Sequence, residues 1–140
     1  MEYEEFYSQL GMLLYAVADI DGVITPQEKN KLKSIIKDQL IPEDHHKDKY
    51  GTYDAYYAEM EFDFLDEEIG DAETAFTSFI DYVDNHYTAF DNKMIKLGIR
   101  VAEELANAYR GTNKKKRLLV KRLKKNIKDI ELKKKEVISI

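Results

Sequence analysis

The chain has 140 residues, with no cysteine, no tryptophan, ten tyrosines and a formal net charge of −5. A chain of this length most simply forms one domain that buries about two-thirds of its unfolded surface. The missing cysteines exclude disulfide bonds, thiolate catalysis and zinc–cysteine sites. The acidic start, MEYEEFYSQL, and the short apolar runs are not typical of a signal peptide or a membrane span, so we expect a cytoplasmic protein.

Charge is distributed very unevenly along the chain. Residues 114–140 contain twelve Lys and Arg but three acids, whereas residues 43–91 contain fifteen acids but two Lys. The sequence therefore predicts an acidic body with a basic C-terminal end.

Apolar residues recur at helical spacing throughout the chain, and no stretch keeps the period of a strand. We predict helices over about residues 3–19, 26–40, 56–64, 71–87, 92–109 and 113–135, with a polar connection after Pro42. The helical faces assigned to the core include Phe6, Leu10, Leu13, Leu14, Val17, Leu32, Ile35, Ile36, Leu40, Phe76, Phe79, Val83, Ile95, Ile99, Leu105, Leu119, Leu123, Ile127 and Ile130. The predicted fold class is all-α, a compact single-domain bundle of about six helices spanning residues 1–140.

A weak internal similarity suggests a degenerate helix–turn–helix repeat. The first helix and its Gly22 turn match the segment ending at Gly111, and Leu32 then matches Leu119. In this alignment Asp21 corresponds to Arg110, so the acids are not repeated. Two amphipathic helices around a glycine turn also match by chance, and both interpretations remain open.

The segment AVADIDGVITPQEKNKL resembles a calcium-binding loop. With Gly22 at the sixth position of the loop, Asp19, Asp21 and Glu28 fall at the third, fifth and twelfth positions, which supply ligands. The first position is Val17 rather than a carboxylate. Because calcium affinity depends on the number and charge of oxygen ligands, we do not expect a calcium sensor here.

Helix capping explains most of the same residues. Gly22 suits the left-handed end of the first helix, and Thr25 with Glu28 forms a capping box for the second. Asp19 and Asp21, by contrast, lie at the C-terminal end of a helix, where carboxylates oppose the helix dipole. Two interpretations follow: a capped turn alone, or an acidic site in which Asp19, Asp21 and Glu28 weakly bind a divalent cation, Ca²⁺ or Mg²⁺.

The segment LLYAVADIDGVITPQEKNKLKSII resembles the TerB-like (tellurite resistance protein B-like) family. The matching residues are Ala18, Asp21, Gly22, Ile24 and Glu28, in an apolar helix that ends in an Asp-Gly turn before a helix opening with Glu. The resemblance covers about 30 residues. It implies a helical domain with an internal pseudo-repeat, an association with tellurite resistance and stress-response systems, and no established catalytic activity. It also implies an acidic surface proposed to bind divalent cations, at Asp21 and Glu28 with Asp19 beside them. The chain departs from the family at Arg110 and Gly111, where an acidic turn is expected.

Two further stretches carry polar side chains that deserve a functional interpretation. The run EDHH (Glu43 to His46) has the Glu-x-x-His spacing of di-iron bundles, but no second such motif occurs, so we predict a surface loop. The stretch from Tyr50 to Asp71 interleaves tyrosines with acids. It predicts either a half-buried helix with a solvated face or a surface that binds a partner protein.

The basic amphipathic C-terminal helix, residues 113–135, allows two interpretations. Its apolar residues pack on the domain while its lysines face water, or the helix contacts an anionic membrane or nucleic acid. No aromatic residue follows Tyr109 to stack on bases, which argues against nucleic acid.

The sequence contains no phosphate-binding glycine loop and no nucleophile arrangement, so we do not expect an enzyme. The predicted function is a non-enzymatic, stress-response-type module that binds a divalent cation weakly, a protein partner, or both, through an acidic surface. The alternative is an adaptor that associates with anionic membrane or nucleic acid through its basic C-terminal helix.

Overall fold

Six helices of ten residues or more make up most of the structure, which is a computed structural model. It describes residues 2–87, 92–108 and 113–139, with side chains as far as Glu136. In chain order the helices are α1 (Tyr3–Asp19), α2 (Pro26–Ile35), the single turn α3 (Ile41–Glu43), α4 (Tyr56–Glu67), α5 (Ala72–His86), α6 (Asn92–Ala106) and α7 (Lys114–Ser139). Within these residues the only strand-like pairing is an isolated bridge between Lys47 and Tyr53. The predicted all-α bundle is confirmed.

Helix α1 lies at the centre of the bundle. The predicted stripe of Phe6, Leu10, Leu13, Leu14 and Val17 is fully buried. Burial nevertheless extends around the whole helix, because every residue from 13 to 18 is buried and α4, α5, α6 and α7 all contact it. A helix that is apolar all round belongs in a core, so the single buried face predicted for α1 describes only part of its environment.

Gly11 allows α1 and α4 to approach closely. A Cβ atom at this position would lie 2.4 Å from the carbonyl oxygen of Ala58 and 3.0 Å from the Glu61 Cβ. Only glycine leaves room for the neighbouring backbone at such a contact. The position of α4 on the bundle therefore depends on Gly11.

The second helix continues beyond its predicted end. After Ile35 the chain makes one π-helical turn, Ile36–Leu40, and then α3, so that helical backbone reaches Glu43. Pro42 cannot donate a backbone hydrogen bond, and in a regular α-helix its ring collides with the carbonyl four residues earlier. In the π-helical turn the Ile41 N–H donates to the Ile36 carbonyl, five residues earlier, and the helical backbone continues past Pro42.

Helix α7 packs along the bundle through its predicted apolar stripe. Leu119, Leu123, Ile127 and Ile130 are all buried, and α7 contacts α1, α5 and α6. The packed interpretation of the basic helix is thus confirmed for these four residues. Arg110 and Gly111, on which the proposed repeat depends, lie outside the described residues, and the repeat stays a prediction.

Candidate functional site

The predicted acidic turn between α1 and α2 is built from local capping interactions. Helix α1 ends at Asp19, whose carbonyl accepts from the Gly22 N–H at 2.8 Å, and Gly22 has the left-handed φ of 84° that its position requires. Thr25 caps α2: its hydroxyl accepts from the Glu28 N–H, and the Glu28 carboxylate accepts from the Thr25 N–H. The predicted capping box is confirmed.

Glu28 is buried and both of its carboxylate oxygens have partners. Oε1 accepts from the Thr25 N–H at 3.1 Å and from the Thr25 hydroxyl at 3.0 Å. Oε2 accepts from the ammonium group of Lys116, in the first turn of α7. The two side chains are 1% and 2% exposed, so this ion pair is removed from water. A buried carboxylate of this kind requires such a partner.

Asp21 faces the same end of α7. Its Oδ1 accepts from the Val23 N–H at 3.1 Å, which forms the turn, and its Oδ2 accepts from the Asn113 side-chain amide at 2.6 Å. The same Oδ2 lies 3.8 Å from Lys116 Nζ. Asp21 and Glu28 therefore converge on one positive charge, and that charge belongs to the protein.

Asp19 faces a different part of the molecule. Its Oδ2 lies 3.1 Å from the Tyr15 hydroxyl, which also lies 2.9 Å from the Gly70 carbonyl oxygen. Burial raises the pKa of Asp19, and the nearby charges of Asp21, Asp66 and Asp71 raise it further. The three predicted cation ligands thus divide into a pair around Lys116 and a separate Asp19.

Within the residues that the structure describes, no group of three or more His, Asp or Glu is arranged to hold a metal ion. Sequence reasoning missed Lys116 and Asn113, which are 88 and 92 residues from their acidic partners. The only signal was the contrast in charge between the acidic body and the basic C-terminal end of the chain.

The EDHH run forms an exposed connection with one buried acid. His45 and His46 are exposed, as predicted for a surface loop, but Asp44 is buried. The Tyr7 hydroxyl donates to Asp44 Oδ2 at 2.6 Å, and the His46 N–H donates to its Oδ1 at 3.0 Å. The hydrogen bond between Asp44 and Tyr7 therefore holds this connection against α1.

Helix α4 presents an apolar and acidic surface to solvent. Met60, Asp63, Phe64 and Glu67 recur at the spacing of one helix face, and all four are exposed. The buried face instead carries Ala58 and Phe62. Together with Ile69, which follows the helix, these four exposed residues are called the α4 patch.

Large apolar side chains are unusually open to water in the α4 patch. Met60 is 55% exposed, Phe64 56% and Ile69 89%. Scattered exposed apolar residues are ordinary, but several within one short segment are typical of interaction surfaces. Of the tyrosines in the predicted surface, Tyr57 donates to Asp48 at 3.0 Å and Tyr53 lies under Lys47, whereas Tyr50 is 81% exposed.

Ile69 is held in a conformation that β-branched residues avoid. Its φ is 53°, and it is the only described residue other than glycine with a positive φ. It occupies the left-handed position after α4, where glycine is usual, while the Gly70 N–H donates to the Leu65 carbonyl at 2.8 Å. A left-handed conformation costs an L-residue about 1–2 kcal/mol. Neither packing nor backbone geometry explains an isoleucine here.

Among the described residues, no helix combines the length and the apolar character needed to cross a membrane. Comparisons of the chain with protein-family models, with curated proteins and with solved structures find no match.

Proposed function

We propose that this protein is a non-enzymatic binding module whose α4 patch takes a basic, partly apolar segment of a partner protein. The observation that carries the proposal is Ile69, which is strained in its backbone and 89% exposed in its side chain. Strained residues that folding does not explain are found most often at functional sites. Met60 and Phe64 are further exposed apolar residues, on the helix that precedes Ile69.

The composition of the α4 patch defines the chemistry of the partner. Burying a large apolar side chain contributes about 1.5–3 kcal/mol, so Met60, Phe64 and Ile69 supply anchors of useful strength. Asp63 and Glu67 lie beside Met60 and Phe64 on the exposed face of α4. Acidic side chains favour a positively charged partner and accelerate its encounter. A helix with leucines on one face and lysines beside them matches both properties.

We propose a cytoplasmic setting and a stress-response role of TerB-like type as the wider context. The support is the Asp21-Gly22 turn with Glu28 at the start of α2, which fits the family pattern over about 30 residues. Weak binding of Ca²⁺ or Mg²⁺ at Asp21 and Glu28, with Asp19 nearby, is part of this proposal. A divalent cation at that position has to displace the ammonium of Lys116, which accounts for weak affinity.

Thermal unfolding with and without calcium tests the cation proposal. In the variant Lys116→Met, Asp21 and Glu28 lose their internal cation, so about 10 mM Ca²⁺ should raise its unfolding temperature more than that of the unchanged chain. Equal shifts in the two proteins would exclude a cation site at Asp21 and Glu28.

An NMR titration of the ¹⁵N-labelled full chain tests the partner proposal. The probe is a synthetic amphipathic peptide of leucine and lysine, and its control is a peptide of the same composition in scrambled order. We expect the amphipathic peptide to shift the amides of residues 56–69 and the scrambled peptide to bind more weakly. Shifts confined to other acidic segments would contradict the proposal.

A further inference from the structure

A concave surface lies between the end of α6 and the first three turns of α7. It encloses about 500 Å³, within the range of roughly 300–1,000 Å³ typical of small-molecule sites. Ala106 at the end of α6 and Asn107 directly after it line one side, and α7 contributes Lys114, Arg117, Leu118, Val120 and Lys121. These residues define the basic cleft.

The cations of the basic cleft lie on one helical face. Lys114, Arg117 and Lys121 are separated by three and four residues, so their side chains project from the same side of α7. All three are exposed, and none has an ion-pair partner in the part of the chain that the structure describes. The one acid that lines the cleft, Glu103, is paired with Lys124. Within the described residues, the cleft therefore carries a net positive charge that no acid neutralises.

The position of these cations at the start of α7 is unfavourable for the helix. Lys114 to Arg117 are four consecutive cations in the first turn, which contains no acid. The N-terminal end of a helix carries partial positive charge, and cations there are destabilising. Glu28 neutralises Lys116 inside the protein, but Lys114 and Arg117 face the cleft without such compensation. An anion bound in the cleft would interact favourably with both the side chains and the helix end.

The floor of the basic cleft is apolar. Ala106 and Val120 are buried, and the side chain of Leu118 is 49% exposed beside them. A site for a bare inorganic anion does not need such a floor. Exposed cations together with an apolar floor match a ligand that has a negatively charged group at one end and an apolar or planar body at the other.

We propose that the basic cleft binds an organic phosphate, a phosphate group attached to an apolar or planar body. The Arg117 guanidinium can donate two parallel hydrogen bonds to phosphate oxygens, and Lys114 and Lys121 add point charges on either side. The body of the ligand packs on Ala106, Leu118 and Val120. A mononucleotide and a phospholipid headgroup share this chemistry. The proposal is independent of the α4 patch.

Calorimetric titration of the full chain compares four probes: adenosine monophosphate, short-chain soluble phosphatidic acid, inorganic phosphate and adenosine. We expect adenosine monophosphate or phosphatidic acid to bind with a dissociation constant of about 1 mM or tighter. The tighter of the two identifies the source of the phosphate. Inorganic phosphate and adenosine should each bind at least about tenfold more weakly, because each lacks one half of the recognised chemistry.

The variant Arg117→Gln/Lys121→Gln locates the site, and Lys125→Gln/Lys128→Gln is its control with the same change in charge on the same helix. All four side chains are exposed, so both variants should fold. We expect the first to weaken binding about tenfold and the control less than about twofold. The proposal is overturned by equal weakening in the two variants, by adenosine or inorganic phosphate binding as tightly as the organic phosphates, or by no binding of either organic phosphate.

Discussion

The ammonium group of Lys116 and the carboxylate of Glu28 form an ion pair inside the protein, with side chains 2% and 1% exposed. The pair joins the first turn of α7 to the first turn of α2, across 88 residues of sequence. It also explains why the turn after α1 tolerates Asp21, which accepts from Asn113 and lies near the same ammonium. The feature that most resembles a cation site in the sequence contains a cation supplied by the C-terminal helix.

Removing one partner of this pair should be strongly destabilising. In Lys116→Ala, the Glu28 carboxylate stays buried without its cation, and we expect a loss of about 3–5 kcal/mol in the free energy of unfolding. The double variant Lys116→Ala/Glu28→Gln should lose much less free energy of unfolding than the sum of the losses in Lys116→Ala and Glu28→Gln. Urea denaturation of the four proteins of this cycle measures the coupling energy.

Lys115→Ala is the matched control for this cycle, because Lys115 is the adjacent lysine and is exposed. It should change the stability by no more than about 0.5 kcal/mol. A loss in Lys116→Ala no larger than in Lys115→Ala would show that the buried pair does not form.

Gly11 and Gly98 should respond oppositely to the same substitution. At Gly11 a methyl group would meet the Ala58 carbonyl oxygen at 2.4 Å, whereas at Gly98 its nearest neighbour is the flexible end of Leu10 at 3.5 Å. Alanine is favoured over glycine within a helix by about 1 kcal/mol. We therefore expect Gly98→Ala to stabilise the protein by up to about that amount. Gly11→Ala should destabilise it by about 1–3 kcal/mol through overpacking. Unchanged or increased stability in Gly11→Ala would contradict the close approach of α1 and α4.

The substitutions Ile69→Gly and Gly22→Ala should change the free energy of unfolding in opposite directions. Ile69→Gly removes the left-handed strain at a side chain that is 89% exposed, so it should raise the free energy of unfolding by about 1 kcal/mol. Gly22→Ala creates the same strain at φ 84° without any steric contact, and it should lower stability by about the same amount. Chemical denaturation measures both, and an unchanged or less stable Ile69→Gly would show that Ile69 is not strained.

The hydrogen bond from Tyr7 to Asp44 should make stability depend on pH. Burial opposes ionisation of Asp44, but hydrogen bonds from Tyr7 and His46 outweigh it and hold its pKa below the ordinary value of 3.8. A carboxylate with a lowered folded-state pKa contributes stability above its unfolded pKa and loses it as the pH falls through the folded pKa. Tyr7→Phe should therefore lower the free energy of unfolding by about 2 kcal/mol above about pH 5. The difference from the unchanged chain should become smaller below about pH 4.

Tyr50→Phe is the control for this experiment, since Tyr50 is 81% exposed. It should leave the pH profile of unfolding unchanged. A cost of Tyr7→Phe that is the same at pH 3 and pH 7 would exclude a role for the Asp44 charge.

The local features of this fold could be predicted from sequence, because their causes lie within a few residues. Gly22 and the Thr25–Glu28 capping box depend only on neighbouring backbone groups, and both are found as predicted. The buried stripes of α1 and α7 follow from helical periodicity in the same way.

Features that depend on distant segments could not be predicted. The partner of Glu28 is 88 residues away, and the need for glycine at position 11 appears only when the Ala58 carbonyl lies beside it. Periodicity also fails to orient α4, because Met60 with Phe64 and Ala58 with Phe62 are both pairs at a spacing of four. Only the packed structure shows that the first pair faces solvent.

The affinity of the amphipathic leucine–lysine peptide for Met60→Ser/Phe64→Ser tests the proposed function most directly. Its control is Val23→Ser/Leu132→Ser, because those side chains are 59% and 50% exposed and lie outside the α4 patch. Met60→Ser/Phe64→Ser leaves Asp63 and Glu67 unchanged. If the α4 patch binds the peptide, this variant should bind it about tenfold or more weakly, and the control should bind it like the unchanged chain. Equal affinities in the two variants would contradict the proposed function.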